Sequence, residues 1–299
     1  MYFLFKGRAR GKLKTFIILN IMEVGVRVFV SFVTFLFFLI LIISGNVTAD
    51  INKGIVSAWT FDDGTPKDST GVSNGTVNGG VEFIAGKFGK AASFNGKDGF
   101  ISVPHKKAYD VLANGLTVSA WINVRNGKDH SAIAFKGTKI GWGANYLFRI
   151  CTTSNTGMTW GVCIAGTEGW FATNNVIQPN QWFFVCLTAD GKQAIAHVAS
   201  EKDGKVNIPQ SGEGNPKPIV APYLTFPDRP IEIGVGRAYG GTVGDDRYLD
   251  GIVDDLIIWD RALTEDEIAE LAKGKRPNVG LAVDVQNKLA STWGNIKTK

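Results

Sequence analysis

The chain has 299 residues, with 32 Lys and Arg against 27 Asp and Glu, a net charge of +5, and only three Cys. The apolar share of 44% excludes a disordered chain, and three cysteines are too few for a small domain built on disulfides. Glycine occurs 36 times, which favours a fold with many tight turns over a helical bundle.

An apolar segment near the start of the chain predicts export. Residues 28–43 are apolar at all but two positions, Arg27 precedes them, and Val47 and Ala49 stand three residues and one residue before a candidate cleavage point. A basic flank, an apolar centre and small residues at the end are the features of a secretory signal peptide. We therefore predict that residues 1–49 are a signal peptide, and that the protein is secreted or displayed at the cell surface.

Two alternatives stay open for this leader. Translation from Met22 would shorten it to a usual length for a signal peptide. The second alternative is an uncleaved membrane anchor, because the apolar segment is only slightly shorter than the roughly 17 to 25 residues that span a bilayer.

The positive charge lies outside the predicted domain. Residues 1–49 carry a net charge of +5, residues 50–274 carry −4, and the basic tail, residues 275–299, carries +4. Without its leader the chain is neutral, whereas nucleic-acid binding needs clustered Lys and Arg. We therefore expect no nucleic-acid partner, and a membrane partner only if the leader is uncleaved. The pattern does not decide whether the tail is a linker, an edge strand or an attachment segment.

From Ile55 onward, short apolar or alternating segments separated by Gly and Asn predict an all-β fold. The alternation is clearest at residues 116–125, which we expect to form a strand with one face on a core. Asp190 and Gly191 separate two apolar segments, as in a β-hairpin. The predicted paired segments are 182–188 with 193–198 and 146–152 with 158–164, and residues 251–259 form a final strand.

One helix is predicted near the end of the domain. Thr264 is a good N-cap, Glu267 follows three residues later, and Gly274 is a typical terminator. Ile268 and Leu271 form an apolar stripe on this helix, so it is expected to pack on the sheet as a structural closing element.

Five blocks of the chain carry a family resemblance. They are IVSAWTFDDG at residues 55–64, GKFGKAASFNG at 86–96, LTVSAWI at 116–122, QWFFV at 181–185 and GIVDDLIIWDRALTEDEI at 251–268. Together they resemble the laminin-G-like (pentraxin-like) domains of the concanavalin A-like lectin/glucanase superfamily. The resemblance implies that residues 50–274 form a jelly-roll sandwich of two curved antiparallel sheets with one short C-terminal closing helix, which agrees with the all-β pattern.

The resemblance also implies a structural calcium ion. Calcium prefers several oxygen ligands, which different chain segments can supply. Alternation along the last strand places Asp254 on the apolar face with Leu256 and Ile258, where a buried carboxylate needs a partner. The alternative is that these acids form turns and accept hydrogen bonds from backbone amides. The candidate ligands are Asp62, Asp68, Asn74 and Asp254.

Aromatic and planar polar side chains predict a carbohydrate site. Sugar sites combine aromatic surfaces for the CH faces with polar groups for the hydroxyls. Trp59, Trp182 and Trp259 lie inside predicted strands, and we expect them to fill the core. The candidate ligand-binding residues are Trp142, Tyr146, Arg149, Trp160, Trp170, Arg237 and Tyr239.

No catalytic motif is evident in the sequence. A glycosidase needs two carboxyl groups that flank the scissile bond, and the Glu-x-Asp-x-Glu pattern of the main glucanase branch is absent. We therefore predict a non-catalytic domain that binds an extracellular glycan or glycoprotein. One alternative is an adhesive or structural module with a protein partner. Another is a glycoside hydrolase whose carboxylates come from separate elements, such as Glu168 and Glu232.

The three cysteines leave two interpretations open. Cys151, Cys163 and Cys186 lie on three predicted strands, and an exported chain meets oxidising conditions. One disulfide and one free thiol would fit this setting, as would three buried reduced cysteines.

Overall fold

The computed structural model describes residues 25–32, 49–127, 130–138, 146–153, 157–164, 167–173, 176–209, 214–220, 222–237 and 247–279. At positions 146, 153, 157–164 and 167–173 it describes the backbone alone. The chain divides into two compact units, Met1–Thr48 and Ala49–Lys299. The second unit thus begins next to the predicted cleavage point.

In the first unit, residues 25–32 form a helix, α1, whose apolar side chains, such as Phe29, are exposed. The remainder of the predicted leader lies outside the described residues. Over the described ranges, no helix combines the length and the apolar character that crossing a bilayer requires.

Strands dominate the regular secondary structure of the second unit. Its elements are β1 (Ile55–Trp59), β2 (Thr76–Asn78), β3 (Val81–Ala85), β4 (Lys90–Asn95), β5 (Phe100–Val103), a 3₁₀ helix (Lys107–Ala113), β6 (Leu116–Asn126), β7 (Ala132–Gly137), β8 (Tyr146–Thr153), β9 (Gly157–Ile164), β10 (Thr167–Thr173), β11 (Trp182–Ala189), β12 (Gln193–Ser200), β13 (Lys217–Pro218), β14 (Ile231–Ile233), β15 (Val235–Gly236), β16 (Arg247–Tyr248), β17 (Asp250–Trp259) and α2 (Glu265–Ala272).

Two antiparallel sheets form the sandwich. The first sheet has the order β13-β12-β11-β6-β17-β4-β3, and β1 also pairs with β17. The second sheet has the order β10-β9-β8-β7-β14-β5-β2, and β15 pairs with β16 in a separate ribbon. The predicted all-β jelly roll with one short C-terminal helix is confirmed.

The strand predictions from alternation are confirmed for the central elements. Strand β6 places Leu116, Val118 and Ile122 in the core between the sheets, as its pattern of alternate apolar residues requires. Strands β11 and β12 pair as a hairpin around Gly191, whose φ of 88° favours glycine. Strands β8 and β9 pair likewise.

Apolar clusters cover both faces of the first sheet. The core between the sheets contains Trp59, which is fully buried, and the second cluster packs α2 against the outer face of the first sheet. Trp259 is fully buried in that second cluster, whereas Trp182 is only partly buried at its edge. Helix α2 therefore closes the outer face, as its apolar stripe predicts.

The position of Asp254 differs from the prediction. Between Asp254 and Ile257 strand β17 has one residue more than β6, and Asp255 takes a φ of 44°. This β-bulge reverses the alternation, so Val253 and Leu256 face the inter-sheet core. Asp254 pairs in register with Trp121 of the outer cluster, so it lies on the opposite face from Leu256.

Cys151 and Cys186 lie on different faces of the sandwich. Cys151 packs with Ala132 and Phe135 on the outer side of the second sheet, and Cys186 packs in the outer cluster of the first. Both are buried, and the two sheets lie between them, which excludes a disulfide between this pair. Burial raises the pKa of the Cys186 thiol. The side chain of Cys163 is outside the described residues.

Candidate functional site

A row of residues crosses the outer face of the second sheet. Glu232 of β14 lies opposite Ser102 of β5 on one side and Phe135 of β7 on the other, and Phe135 lies opposite Arg149 of β8. Directly opposed residues in antiparallel strands share a face. The preceding and following residue of β14 belong to the inter-sheet core, so this polar row (Ser102, Glu232, Phe135 and Arg149) faces the other way.

The register extends the polar row towards the edge strand. Arg149 lies opposite Gly161 of β9, and Gly161 lies opposite Trp170 of β10. Two predicted ligand-binding residues, Arg149 and Trp170, are therefore brought to the same level of one sheet. Glycine between them leaves this position without a side chain.

Glu232 of the polar row forms an ion pair with Arg237, which follows β15. Arg237 Nε donates to both oxygens of Glu232, at 2.8 Å and 3.0 Å, and its Nη2 donates to Oε1. The Glu232 side chain is only 7% exposed, whereas that of Arg237 is 29% exposed. The carboxylate is therefore held on the sheet, and the guanidinium is partly exposed to solvent.

The backbone between these two residues explains why they meet. Gly234 follows β14 with a φ of 86°, a conformation that other residues rarely adopt. A Cβ at this position would lie 2.3 Å from Phe94 Cδ1, so no larger residue fits. The bend lets β15 leave the sheet and brings Arg237 back over Glu232.

Two aromatic rings complete this part of the face. The Arg237 guanidinium lies 4.8 Å from the ring centre of Phe100, and the ring of Phe100 is 6.3 Å from that of Tyr248. Guanidinium groups stack favourably on aromatic rings, which fixes the orientation of Arg237. Arg149 is 2% exposed, and it lies next to the small cluster of Ala132, Phe135 and Cys151.

The other predicted ligand-binding residues are placed less completely. Trp142 and Tyr239 lie outside the described residues. For Tyr146, Trp160 and Trp170 only the backbone is described. Trp160 pairs in register with Ile150, which packs in the inter-sheet core.

Phe100 and Ser102 were missed as site residues. Strand β5 alternates Phe, Ile, Ser and Val, and Ile101 and Val103 are fully buried in the core. The alternation would have placed Phe100 and Ser102 together on the other face. Glu232 was considered only as one half of a catalytic pair.

The candidate calcium ligand Asp68 is fully buried and well supplied with donors. Its Oδ1 accepts hydrogen bonds from the backbone N–H of Ala58 and Thr70 and from the Thr70 hydroxyl, and its Oδ2 accepts one from Ser73 N. Asn74 Oδ1 in turn accepts from Asp68 N at 3.0 Å. These bonds shape the loop after β1.

The other two candidate ligands lie near a different loop. Asp254 Oδ2 accepts from Phe88 N at 2.9 Å, and its Oδ1 accepts from Asp255 N. Burial and the charge of Asp255 raise the pKa of Asp254 to about 7, although the backbone hydrogen bond from Phe88 acts in the opposite direction. Asp62 Oδ2 accepts from Arg276, which also binds Asp255.

Hydrogen bonds place the candidate residues in two groups, Asp68 with Asn74, and Asp62 linked through Arg276 to Asp255, the neighbour of Asp254. N–H donors reach Asp62, Asp68, Asn74 and Asp254, as expected if these residues serve the backbone and a neighbouring guanidinium. Within the described residues, no group of three His, Cys, Asp or Glu side chains is arranged to hold a metal ion. Calcium binding stays a prediction.

Solved structures share this fold at low sequence identity. Domain 4 of AbnA, a GH43 extracellular arabinanase from Geobacillus stearothermophilus solved with arabinotriose, has a TM-score of 0.52 and 19% identity, over 74% of this chain and 98% of that chain. The receptor-binding domain of botulinum neurotoxin type G has a TM-score of 0.51 and 12% identity. A botulinum neurotoxin type C structure, reported with cell entry dependent on two ganglioside molecules, has a TM-score of 0.51 and 15% identity.

The extent of these matches differs. The matches to the two neurotoxin structures cover 74% of this chain. This chain therefore spans only about half, 51%, of each neurotoxin structure. At such identities the likeness establishes the fold alone. Among curated protein sequences, none matches this chain significantly.

A family model gives the more specific result. The Laminin_G_3 model, described as concanavalin A-like lectin/glucanases superfamily, matches residues 94–269. This range covers more than half of the chain and includes the polar row and the first five residues of helix α2. The chain therefore belongs to the Laminin_G_3 family of the concanavalin A-like lectin/glucanases superfamily.

Proposed function

We propose that this protein is a secreted or surface-displayed, non-catalytic domain that binds extracellular glycans on the outer face of its second sheet. The observation that carries the proposal is the Glu232 and Arg237 pair beside the ring of Phe100. A carboxylate accepts hydrogen bonds from sugar hydroxyls, a guanidinium donates them, and an aromatic ring packs on the CH face of a sugar.

The geometry favours binding because the polar groups are already oriented. Glu232 is held by two nitrogens of one guanidinium, and Arg237 is stacked on Phe100, so little side-chain entropy is lost when a ligand arrives. The Arg237 side chain is 29% exposed, so a ligand on this face can reach its guanidinium.

The structural neighbours support glycans as the ligand class. The arabinanase domain was solved with arabinotriose, and neurotoxin type C entry depends on gangliosides. Export rests on the predicted leader. The absence of a recognisable catalytic motif supports a binding role. A glycosidase would need a second carboxyl group across the sugar bond from Glu232, whereas the partner of Glu232 in the described residues is the guanidinium of Arg237.

A glycan array with residues 50–299 tests the proposal. We expect binding to a defined set of glycans, and we expect Glu232→Gln and Arg237→Lys each to weaken it at least about tenfold, which corresponds to about 1.4 kcal/mol. Arg237→Lys keeps the charge but loses the two-pronged geometry.

Arg125→Lys is a matched control. Arg125 also forms an ion pair, with Asp250 at 2.8 Å, but it lies on the first sheet, so its replacement should leave glycan binding unchanged. The proposal would be contradicted if Glu232→Gln and Arg237→Lys bound glycans as well as Arg125→Lys does, or if the folded wild type bound none. Capture of a protein ligand that survives deglycosylation would favour the adhesive alternative, and release of shorter sugars would favour the hydrolase.

Calcium is a separate part of the proposal. If the ion is structural, a chelator lowers the melting temperature of the domain, and Asp254→Asn removes the difference between the two conditions. An unchanged melting temperature would assign the candidate residues to their backbone and guanidinium donors alone.

A further inference from the structure

The nitrogen of Asp50 lies beside a buried carboxylate. Asp50 N is 3.1 Å from Glu267 Oε1, and in the continuous chain it is an amide that donates one hydrogen bond. Hydrolysis of the Ala49–Asp50 bond would turn this same atom into a terminal amine. We propose that processing after Ala49 creates an α-ammonium group that forms an ion pair with Glu267 and so locks the first residues of the mature domain in place.

The acceptor site is already built. The Glu267 side chain is only 5% exposed, and it belongs to the capping box of α2, where its Oε2 accepts from Thr264 N at 2.8 Å. Arg261 donates to both of its oxygens, at 2.8 Å and 2.7 Å. These bonds outweigh the effect of burial and lower the pKa of Glu267 to about 2, so the carboxylate is charged at every physiological pH.

The charges around this point favour one more cation. Glu267 of α2 contacts the Asp50 nitrogen, and Arg261 of the turn before α2 contacts the Asp50 carbonyl. The carboxylates of Glu267, Asp50 and Asp260 all act on the Arg261 guanidinium. Three carboxylates thus share one guanidinium. An ammonium at Asp50 N adds a positive charge within this group, at hydrogen-bond distance from the most buried carboxylate.

The position of the nitrogen is fixed by its neighbours in the chain. Ile51 is 1% exposed, and its carbonyl accepts from Trp259 Nε1 at 2.9 Å. The Asp50 carbonyl accepts from Arg261 at 2.8 Å. The compact unit begins at Ala49, so the predicted cleavage point coincides with the edge of the folded domain.

The covalent step requires only water and a processing peptidase. Water adds across the Ala49–Asp50 peptide bond, the carbonyl carbon stays with Ala49 as a carboxylate, and the nitrogen leaves with Asp50 as an amine. At neutral pH the amine takes up a proton, because the ordinary pKa of an α-amino group is about 7.7 to 8.0.

Three forms of the protein, each ending at residue 299, test the proposal. One begins at Asp50, one begins at Ala49, and one begins at Asp50 with an acetylated nitrogen. At pH 7 we expect the free Asp50 form to melt higher than the other two by about 2 to 4 °C, the shift that a single charged contact produces in a domain of this size.

The pH dependence separates an ion pair from a steric effect. Glu267 raises the pKa of the ammonium in the folded state above its unfolded value. The ammonium group therefore contributes its full stabilisation below about pH 8, the ordinary pKa of an α-amino group. This stabilisation is lost as the pH rises through the raised pKa of the ammonium in the folded protein. The advantage of the Asp50 form should shrink along this course, whereas a packing effect would persist.

Glu267→Gln is the matched control, since glutamine preserves the capping box but removes the charge. In this variant the three forms should have the same melting temperature. Equal melting of the three wild-type forms at pH 7, or an advantage that survives Glu267→Gln, would overturn the proposal. N-terminal sequencing of the naturally exported chain should begin at Asp50, and any other start would also overturn it.

Discussion

Lys136 shows how a single buried charge can hold a long loop. It lies at the end of the core, is 1% exposed, and its ammonium donates to the carbonyls of Phe226 and Arg229 at 2.9 Å and 2.7 Å. A third contact, of 3.2 Å, joins it to His105 Nδ1. Burial lowers the pKa of Lys136 to about 8, so the ammonium is charged at pH 7. Burial and the charge of Lys136 both lower the pKa of His105, so the ring is neutral and can accept at Nδ1.

Replacement of Lys136 should therefore loosen the segment before β14. In Lys136→Met the two partly buried carbonyls lose their charged donor, which costs about 1 kcal/mol or more. We expect a lower free energy of unfolding in denaturant and faster amide hydrogen exchange between Tyr223 and Arg229.

Lys97→Met is the control for Lys136→Met. Because Lys97 is exposed, its replacement should change the free energy of unfolding by close to zero. Equal effects of the two substitutions would show that Lys136 does not hold the loop.

At the level of elements, α2 is defined by local chemistry and placed by packing. Thr264 accepts from Glu267 N through its hydroxyl, and Glu267 accepts from Thr264 N, so two otherwise unpaired amides are satisfied. Ile268 and Leu271 then pack on the outer cluster of the first sheet. The helix has only eight residues, too few to be stable alone, so its cap and its packing face act together.

Loss of the cap should destabilise the whole domain. Thr264→Ala removes the side-chain acceptor of the Glu267 amide and should cost about 1 kcal/mol, which lowers the melting temperature by about 2 to 4 °C. Thr264→Ser retains the hydroxyl and should restore most of the loss. A calorimetric scan of the three proteins checks this, and an alanine variant as stable as the serine variant would exclude a contribution from the cap.

The sequence predicted those elements whose signals are local. Alternation located β6, and the residues Thr264, Glu267 and Gly274 located α2. The bulge at Asp255 was not predicted, because one inserted residue in β17 is visible only against its partner β6. The polar row was also beyond local patterns, since β5, β14, β7 and β8 become neighbours only when distant segments pair. Arg149 and Arg237 were identified by residue type, but their relation to Glu232 required the register.

At the scale of the whole molecule, the two ends of the domain meet. Asn278 N donates to Asn52 Oδ1 at 2.7 Å, so the start of the tail lies against the first loop. Arg276 joins the tail to two acids, with Nε and Nη2 on Asp255 and Nη2 on Asp62, each at 2.6 Å. The first residues of the predicted tail therefore belong to the folded domain, and only the part beyond residue 279 lies outside the described chain.

Arg276 should accordingly matter more than its neighbour in the tail. The Asp255 side chain is 6% exposed, so Arg276→Ala leaves a buried carboxylate without its guanidinium, at a cost of about 3 kcal/mol. The exposed pair of Lys275 and Glu270 contributes about 0 to 1 kcal/mol, so Lys275→Ala should have little effect. Denaturant unfolding of both variants measures the difference.

A second substitution at the partner distinguishes lost charge pairing from lost packing on Phe88, whose ring centre lies 5.3 Å from the guanidinium. In Arg276→Ala with Asp255→Asn no charged carboxylate remains at position 255, so part of the stability should return. Because the two residues are in direct contact, their effects should not add. Strictly additive losses, or a Lys275→Ala variant as unstable as Arg276→Ala, would mean that Arg276 does not join the end of the chain to the sandwich.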